Sequence, residues 1–420
     1  MDNGRNVIIE AINSSGKTHN GATTPWARRA VTGGEPVVHL HGTKPARDDA
    51  VEKSADAGVD YHLLQGREEA CETANGDNDD TVSTPDGTPA SEWIARQCGP
   101  TSGTTFSNAH SHLEEHNDGS LPCAPCDAKT QYEGIPRDDD GDPAVDVIHA
   151  THEFAYVPNL VHNTNLIIDE QPDFSVSVGP KGELTQQRIQ DMVAAWLTKI
   201  GAMATSWERF VVQARDGFEP LGKTIDKAPT VEPEWFIETP NAHSLAPALT
   251  EALYRGLSQP PDDNGRHRGT AQHDQARFES GVDDARYTRT RVTVVIDQNN
   301  RVQKIWNVPE LGNARSIICL DAWPAIPEFH QNVGPELDVV ELMSPKEREQ
   351  WRRFERGLEV VQVGNAARPA GSEYAAEHYF SPDAVRVMIE WLRTVFGDEF
   401  RSVIAPSQVE SQVQEMIRQV

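Results

Sequence analysis

Short apolar runs alternate with polar and helical stretches along the first part of the chain. These runs predict strands within the segments 6–11, 35–44, 59–67, 144–157 and 164–174. A helix is predicted near 45–57, between the second and third strands. Strands that alternate with helices form parallel sheets with helices packed on their faces. The pattern therefore predicts an α/β fold built on a parallel sheet.

The rhythm breaks between 72 and 145, where Gly, Asp, Ser, Thr and Pro dominate. Four of the five cysteines lie between 71 and 126. A stretch this irregular inside a folded chain either needs a cross-link to hold it in place or is disordered. Beyond it, apolar residues at three- and four-residue spacing predict helices over 184–215 and 244–257.

Between residues 260 and 324 the pattern predicts a loop, a hairpin and a strand. The polar segment 260–284 shows neither period and is predicted to be a mobile loop. A hairpin is predicted over 291–308, turning at 298–300, and a buried strand over 315–324.

Two Ser-Pro pairs mark helix starts near the end of the chain. Ser344-Pro345 with Glu347 forms a capping-box pattern, and the helix that starts at Ser381-Pro382 is predicted to stop at Gly397. A strand at 401–407 and a last helix are predicted to follow.

The first strand leads into Ala11-Ile-Asn-Ser-Ser-Gly16-Lys17-Thr18, which has the spacing of a phosphate-binding loop. Small residues let successive backbone N–H groups surround phosphates, Lys17 can reach the outer phosphates, and the Thr18 hydroxyl can bind Mg²⁺. The predicted nucleotide-binding residues are Asn13, Ser14, Ser15, Gly16, Lys17 and Thr18. An ordinary strand, turn and helix is the alternative interpretation.

Two acids end the apolar strand Leu166–Ile168. Asp169 can hold Mg²⁺ together with Thr18, and Glu170 can polarise an attacking water. Lys17, Asp169 and Glu170 are therefore the predicted catalytic residues. A plain acidic strand end is the alternative, but it does not explain why both motifs occur in this order.

The formal net charge of −27 is spread over the whole chain, and Arg outnumbers Lys. This favours adaptation to high salt over a local acidic surface for a partner. We find no apolar run long enough to span a membrane and no signal-peptide pattern, which predicts a cytoplasmic protein without a membrane partner.

Three stretches in this order, "EAINSSGKT", "LLQGREEAC" and "LIIDEQPDF", resemble the XPD/DinG iron–sulfur helicases of superfamily 2, in their haloarchaeal type. As in that family, a Gly-Arg pair, Gly66-Arg67, shortly precedes the first cysteine of the insert, Cys71.

Three further stretches are similar in a looser way. "VIHATHEFAYV" looks like the segment before the acid pair, and "SIICLDAWP" looks like the third helicase motif, with Trp323 where Thr is usual. "SVIAPSQVE" resembles the strand that opens the second RecA-like lobe.

The resemblance implies an ATP-dependent DNA helicase-like NTPase that binds Mg-ATP at the P-loop and single-stranded DNA. It implies a RecA-like parallel sheet that carries a cysteine-rich insert and a largely helical, arch-like insert. The implied divisions are lobe 1 at 1–70, 144–174 and 286–370, the cysteine-rich insert at 71–143, the helical insert at 175–285, and the start of a second lobe at 371–420. Trp196, Trp207 and Phe210 are candidates for stacking on DNA bases, although their helical spacing favours core positions.

The resemblance also implies that Cys71, Cys98, Cys123 and Cys126 bind a 4Fe-4S cluster. The Cys123-Ala-Pro-Cys126 spacing suits Zn²⁺ equally well, and free thiols are a third interpretation. His110, His112 and His116 also have metal-like spacing; we expect a solvated helix or loop there, and one of them could replace a cysteine at a zinc site. Cys319 lies in an apolar strand and is expected in the core.

The chain departs from the family at both ends. It begins at the P-loop strand, without the upstream adenine-reading element, and stops at Val420, before the arginine finger of the second lobe. We therefore expect an incomplete motor, for which a separate chain could supply the second lobe. The alternatives are a nucleotide- and DNA-binding remnant without motor activity, or a P-loop ATPase unrelated to helicases.

Overall fold

The computed structural model describes residues 5–11, 16–28, 30–33, 35–136, 144–276, 287–355, 380–397 and 407–419. The chain divides into two compact units, residues 1–348 and 349–420. Each unit is described by itself below.

The strands, in chain order, are β1 (Asn6–Glu10), β2 (Val37–His41), β3 (Tyr61–Leu63), β4 (Val147–Thr151), β5 (Asn165–Asp169), β6 (Ser175–Val176), β7 (His267–Ala276), β8 (Tyr287–Ile296), β9 (Val302–Pro309), β10 (Ser316–Asp321) and β11 (Asp338–Glu341).

The α-helices of the first unit are α1 (Lys17–Thr23), α2 (Lys44–Ala57), α3 (Arg67–Ala70), α4 (Glu72–Asn75), α5 (Ala90–Arg96), α6 (Phe106–His116), α7 (Asp127–Thr130), α8 (Pro158–Val161), α9 (Gln186–Lys199), α10 (Trp207–Arg215), α11 (Glu219–Asp226), α12 (Pro233–Glu238), α13 (Ala246–Leu257), α14 (Ile326–Asn332) and α15 (Pro345–Gln350), which runs two residues past the boundary between the units. Single 3₁₀ turns occur at Trp26–Arg28, Ala30–Thr32 and His152–Tyr156, and π-type turns at Gln97–Thr101 and Trp351–Glu355.

Seven strands form one sheet in the order β11-β1-β10-β5-β2-β4-β3, and every pairing in it is parallel. Strands β2 and β5 are buried along their whole length, which explains why they read as continuous apolar runs. The predicted parallel α/β fold is confirmed. The order also places β10, the late apolar strand, between the P-loop strand β1 and the acid-bearing strand β5.

A second, antiparallel sheet has the order β6-β9-β8-β7 and packs against helices α9, α10, α11 and α13. Trp196 and Phe210 are buried in this core, as their spacing favoured, and Trp207 packs at its edge. The hairpin predicted over 291–308 is present as β8 and β9.

The mobile loop predicted over 260–284 is wrong for residues 267–276, which form strand β7. This strand is polar in sequence because its buried positions among residues 267–272 carry His267, Gly269 and Ala271, none of which is large and apolar. A side chain at Gly269 would place its Cβ 1.8 Å from the carbonyl oxygen of Ala252 in the helix. Because the two backbones approach so closely, the strand has no room there for the bulky apolar residues by which strands are usually recognised. Residues 277–284 lie outside the described residues.

The cysteine-rich segment is more ordered than its composition predicts. Helices α3 to α7 surround a small apolar cluster that includes Trp93, Ile94 and Leu113. The segment also contacts the helical insert, because the backbone N–H of Ser244 donates a hydrogen bond to the Ser102 carbonyl (2.7 Å). The His243 ring nitrogen Nε2 lies 3.2 Å from the Gly99 carbonyl oxygen.

In the second unit, helix α16 (Pro382–Phe396) packs on helix α17 (Ser407–Gln419) through a cluster that includes Ile389 and Val413. Ser381 caps α16, which ends before Gly397, as predicted. The strand predicted at 401–407 lies outside the described residues at 401–406. None of the described helices is both long and apolar enough to cross a lipid bilayer.

Candidate functional site

The carboxyl ends of β1, β10 and β5 meet at one edge of the parallel sheet, where ligands bind in open α/β folds. The Ala11 backbone N–H donates to the Asp321 carbonyl (3.0 Å), and the Glu170 N–H donates to the Leu320 carbonyl (2.8 Å). These bonds hold the ends of the three strands together. They bring residues of the predicted P-loop beside the predicted acid pair.

Helix α1 begins at Lys17, directly after Gly16, whose φ of 85° lies in the left-handed region that glycine adopts without strain. The Gly16 carbonyl accepts the N–H of Asn20 (2.8 Å). Asn13, Ser14 and Ser15 lie outside the described residues, so their role stays a prediction.

The Lys17 side chain reaches back to the residue after β1, where its Nζ donates to the Ala11 carbonyl (2.7 Å). Burial lowers the pKa of Lys17, and the nearby carboxylates of Asp169, Asp321 and Glu170 act against this. The ammonium group is thus half-buried among acids at the edge of the sheet. Asp321 was not predicted as a site residue, although it ends the apolar strand of the "SIICLDAWP" stretch.

Thr18 and Asp169 are in direct contact. The Thr18 hydroxyl donates to Asp169 Oδ2 at 2.5 Å, across 151 positions of sequence. Asp169 is buried, and burial raises the pKa of its carboxyl group, while the Thr18 hydrogen bond lowers it. The two predicted Mg²⁺ ligands therefore lie side by side, close enough to bind the same ion.

Glu170 is exposed and has a φ of 67°, an uncommon conformation for a residue with a side chain. Its carboxylate lies near Gly42, because a Cβ added to Gly42 would be 3.3 Å from Glu170 Oε2. His152 Nε2 lies 3.0 Å from the Asp169 carbonyl oxygen, and burial lowers the pKa of His152. The neutral imidazole fixes the backbone between the two acids, a role that the sequence pattern did not signal.

A second cluster lies in the cysteine-rich segment. One donor atom from each of Cys71, His110, Cys123 and Cys126 lies within 4.8 Å of the others. Cys71 stands between α3 and α4, His110 on α6, and Cys123 and Cys126 in the turn before α7. Four short elements thus meet at this group of donor atoms, which can hold a metal ion.

The distances within the cluster are short. Cys71 Sγ lies 3.9 Å from Cys123 Sγ, and His110 Nε2 lies 3.3 Å from the same sulfur. Contact with the Cys126 thiol lowers the pKa of Cys71 and correspondingly raises that of Cys126. A thiol that loses its proton readily is what a metal ligand requires.

Polar neighbours orient the donors. His110 Nδ1 lies 3.3 Å from Glu114 Oε1, and the ammonium group of Lys129 lies 2.9 Å from Glu114 Oε2. The Thr73 hydroxyl donates to Cys123 Sγ (3.1 Å). Metal-bound histidines usually have a carboxylate beside the ring nitrogen that does not bind the metal, and Glu114 lies there, although not aligned as a hydrogen bond.

Cys98 lies outside this group. It sits in the π-type turn Gln97–Thr101, and burial raises the pKa of its thiol to about 11. The structure therefore brings together three of the four predicted cysteines, with His110 as the fourth donor. His112 stacks on Trp93 instead, and His116 is exposed.

Cys319 is fully buried in β10, as expected of a core residue.

No family model and no curated protein matches this chain. Among solved structures, a chain named "Truncated XPD" is similar at 11% identity with a TM-score of 0.32, and the match covers 81% of this chain and 96% of that chain. A superposition this loose carries no argument for function.

Proposed function

We propose that this chain is a helicase-like P-loop NTPase that binds Mg-ATP at the edge formed by β1, β10 and β5. The observation that carries the proposal is the Thr18–Asp169 hydrogen bond at 2.5 Å, with Lys17 beside it. Hydroxyl and carboxylate oxygens are the ligands that Mg²⁺ takes in phosphate-loop proteins. A plain strand, turn and helix gives no reason for a threonine, a lysine and an acid to converge here.

Each residue has a distinct role in this proposal. Thr18 and Asp169 would hold Mg²⁺, which neutralises charge on the phosphates. Lys17, which rests on the Ala11 carbonyl, would move to the outer phosphates. Glu170, exposed at the same edge, would orient and polarise the attacking water. The substitution Glu170→Gln would keep the shape of the side chain and remove its ability to act as a base.

The DNA-helicase part of the proposal rests on the order of the resembling motifs along the sequence. Single-stranded DNA is the proposed partner. The alternative is a protein that binds nucleotide and DNA without turnover. ATP hydrolysis stimulated by single-stranded DNA would favour the motor, and binding of both ligands without hydrolysis would favour the alternative.

We propose further that the Cys71, Cys123, Cys126 and His110 cluster holds one tetrahedral metal ion of the zinc type. With Zn–S near 2.3 Å and Zn–N near 2.0–2.1 Å, the edges of such a site are about 3.8 Å between sulfurs and about 3.5 Å between nitrogen and sulfur. The corresponding distances here are 3.9 and 3.3 Å. A 4Fe-4S cluster is a larger body, which needs its ligands spread further apart. The donor spacing thus favours zinc over the iron–sulfur cluster that the resemblance implies.

The nucleotide proposal is tested by the Mg²⁺ dependence of binding. Asp169→Asn should weaken ATP binding in the presence of Mg²⁺ and leave metal-free nucleotide binding nearly unchanged, because the variant loses a charged metal ligand. Asp56→Asn, at an exposed position of α2, is the matched control and should behave like the parent chain. Equal Mg²⁺ dependence in all three proteins would sink the assignment of Asp169.

A further inference from the structure

Three histidines lie together beneath the helices that cover the parallel sheet. His39 and His41 alternate along β2, so both point to one face, and the register pairs His39 with His149 on β4. All three are fully buried. Their ring centroids are 4.0 Å (His39–His41), 5.6 Å (His39–His149) and 5.4 Å (His41–His149) apart.

The hydrogen bonds of Ser54 assign the proton of His149. The Ser54 hydroxyl has carbonyl acceptors at Ala22 (2.8 Å) and Ala50 (3.2 Å), and His149 Nε2 lies 2.8 Å from the same oxygen. A hydroxyl carries one proton, so donation to a carbonyl leaves its oxygen to accept the Nε2–H of His149. His149 Nδ1 then carries a lone pair, directed at His41 Nε2 at 3.1 Å.

The cluster leaves buried nitrogens unsatisfied. Neither ring nitrogen of His39 has a hydrogen-bond partner among the described residues, and the same holds for His41 Nδ1. A neutral imidazole carries one N–H, so His39 alone keeps at least one buried donor unmet, at a cost of about 1–3 kcal/mol. Asp169 Oδ2 lies 4.0 Å from His39 Nε2.

The three rings are in the form that binds metal. Burial lowers the pKa of His41 to about 3 and that of His149 to about 4, and it holds the pKa of His39 well below its usual value. Neutral imidazole is the ligand form for zinc and related ions.

We propose that His39, His41 and His149 form a second metal site, which takes a late first-row divalent ion such as Zn²⁺. One ring nitrogen from each lies within 4.8 Å of those of the other two. The 3.1 Å between His41 Nε2 and His149 Nδ1 is close to the edge of about 3.3 Å expected for tetrahedral zinc with Zn–N near 2.0–2.1 Å. The site shares no residue with the cysteine cluster, and only the role given to the ion below rests on the proposed nucleotide binding.

The surroundings indicate what the ion would do. Helix α1 packs directly on His39, because a Cβ at Gly21 would lie 2.6 Å from the His39 ring. An ion held here would cross-link β2 to β4 under the helix that carries Lys17 and Thr18. Its role is therefore to fix the seat of the phosphate-binding helix beside Asp169.

Cobalt distinguishes the two sites, since thiolate-bound Co²⁺ shows intense charge-transfer bands and imidazole-bound Co²⁺ shows only weaker visible bands. The full chain, stripped with a chelator, should take up two equivalents of Co²⁺ or Zn²⁺. The Cys123→Ser/Cys126→Ser variant should keep one equivalent, without thiolate bands. Adding His39→Gln or His149→Gln should remove it, and adding His162→Gln, at an exposed position, should not.

One equivalent in the full chain that shows thiolate bands, or none in the thiolate-depleted variant with native circular dichroism, would overturn the proposal. So would cobalt that remains bound after His39→Gln. If a histidine variant does not fold, the stoichiometry of the full chain decides the question without it.

Discussion

At the scale of single residues, the contact between Thr18 and Asp169 sets the chemistry of the site. The sequence motifs named Lys17, Thr18, Asp169 and Glu170 because each follows a strand at a fixed spacing, which a reader of the sequence can count. The structure adds Asp321 and His152, whose partners lie on other elements, and it selects His110 from the three histidines that the sequence offered. No local spacing signals such contacts, because the pairing of parallel strands and the docking of short helices create them.

Glu170→Gln should keep the binding of Mg-ATP and abolish any hydrolysis, because the amide cannot polarise water. The measurement is phosphate release under saturating Mg-ATP, alone and with single-stranded DNA. Glu52→Gln, exposed on α2, serves as the control and should leave the rate unchanged. Hydrolysis at the parental rate in Glu170→Gln would remove this residue from the mechanism.

The roles of Cys98 and His110 separate the two metal interpretations. Cys98→Ser should retain one equivalent of metal in the cysteine cluster, whereas His110→Ala should lose it, because only His110 lies with the other three donors. Metal analysis of anaerobically purified protein on the His39→Gln background isolates this cluster. A brown, iron-containing protein that needs Cys98 and tolerates His110→Ala would restore the four-cysteine 4Fe-4S assignment.

At the scale of elements, the strands and helices that strong apolar patterns predict within the described residues are present, and one further strand was not predicted. Strand β7 was missed because its inward face carries Gly269 and Ala271 instead of large apolar residues. Helix α13 comes so close there that its own Gly256 would place a Cβ 2.9 Å from the Gly269 nitrogen. Prediction from apolar patterns fails where two backbones touch, since the large apolar residues that it relies on are absent there.

Gly269→Ala should therefore destabilise the first unit. The new methyl group meets the Ala252 carbonyl, a backbone atom that cannot move aside, and overpacking of this kind costs about 1–3 kcal/mol. Gly312→Ala is the control, because its Cβ would meet only the end of the flexible Glu310 side chain. Denaturant unfolding measures both, and equal stability of the two variants would contradict the described packing of α13 on β7.

At the scale of the whole molecule, the net charge of −27 bears on every binding measurement. Such a charge repels both nucleotide and DNA at low ionic strength. Above 0.1 M salt the screening length falls below about 10 Å, so exposed charges farther apart than this interact weakly. Attraction to phosphates is then confined to local groups such as Lys17, which makes that side chain a sharp probe. Titrations belong at high salt, where long-range repulsion no longer hides a specific site.

The central claim is that Lys17 and its neighbours bind the phosphates of a nucleotide. The most direct test is a titration of the parent chain, Lys17→Ala and Lys53→Ala with a fluorescent ATP analogue and Mg²⁺ at high salt. Lys53 pairs with Asp49 on α2 and serves as the control. Loss of a charge-assisted hydrogen bond of about 1.5–3 kcal/mol should weaken binding roughly ten- to hundredfold in Lys17→Ala alone, with circular dichroism unchanged. Equal affinity in all three proteins would contradict the account.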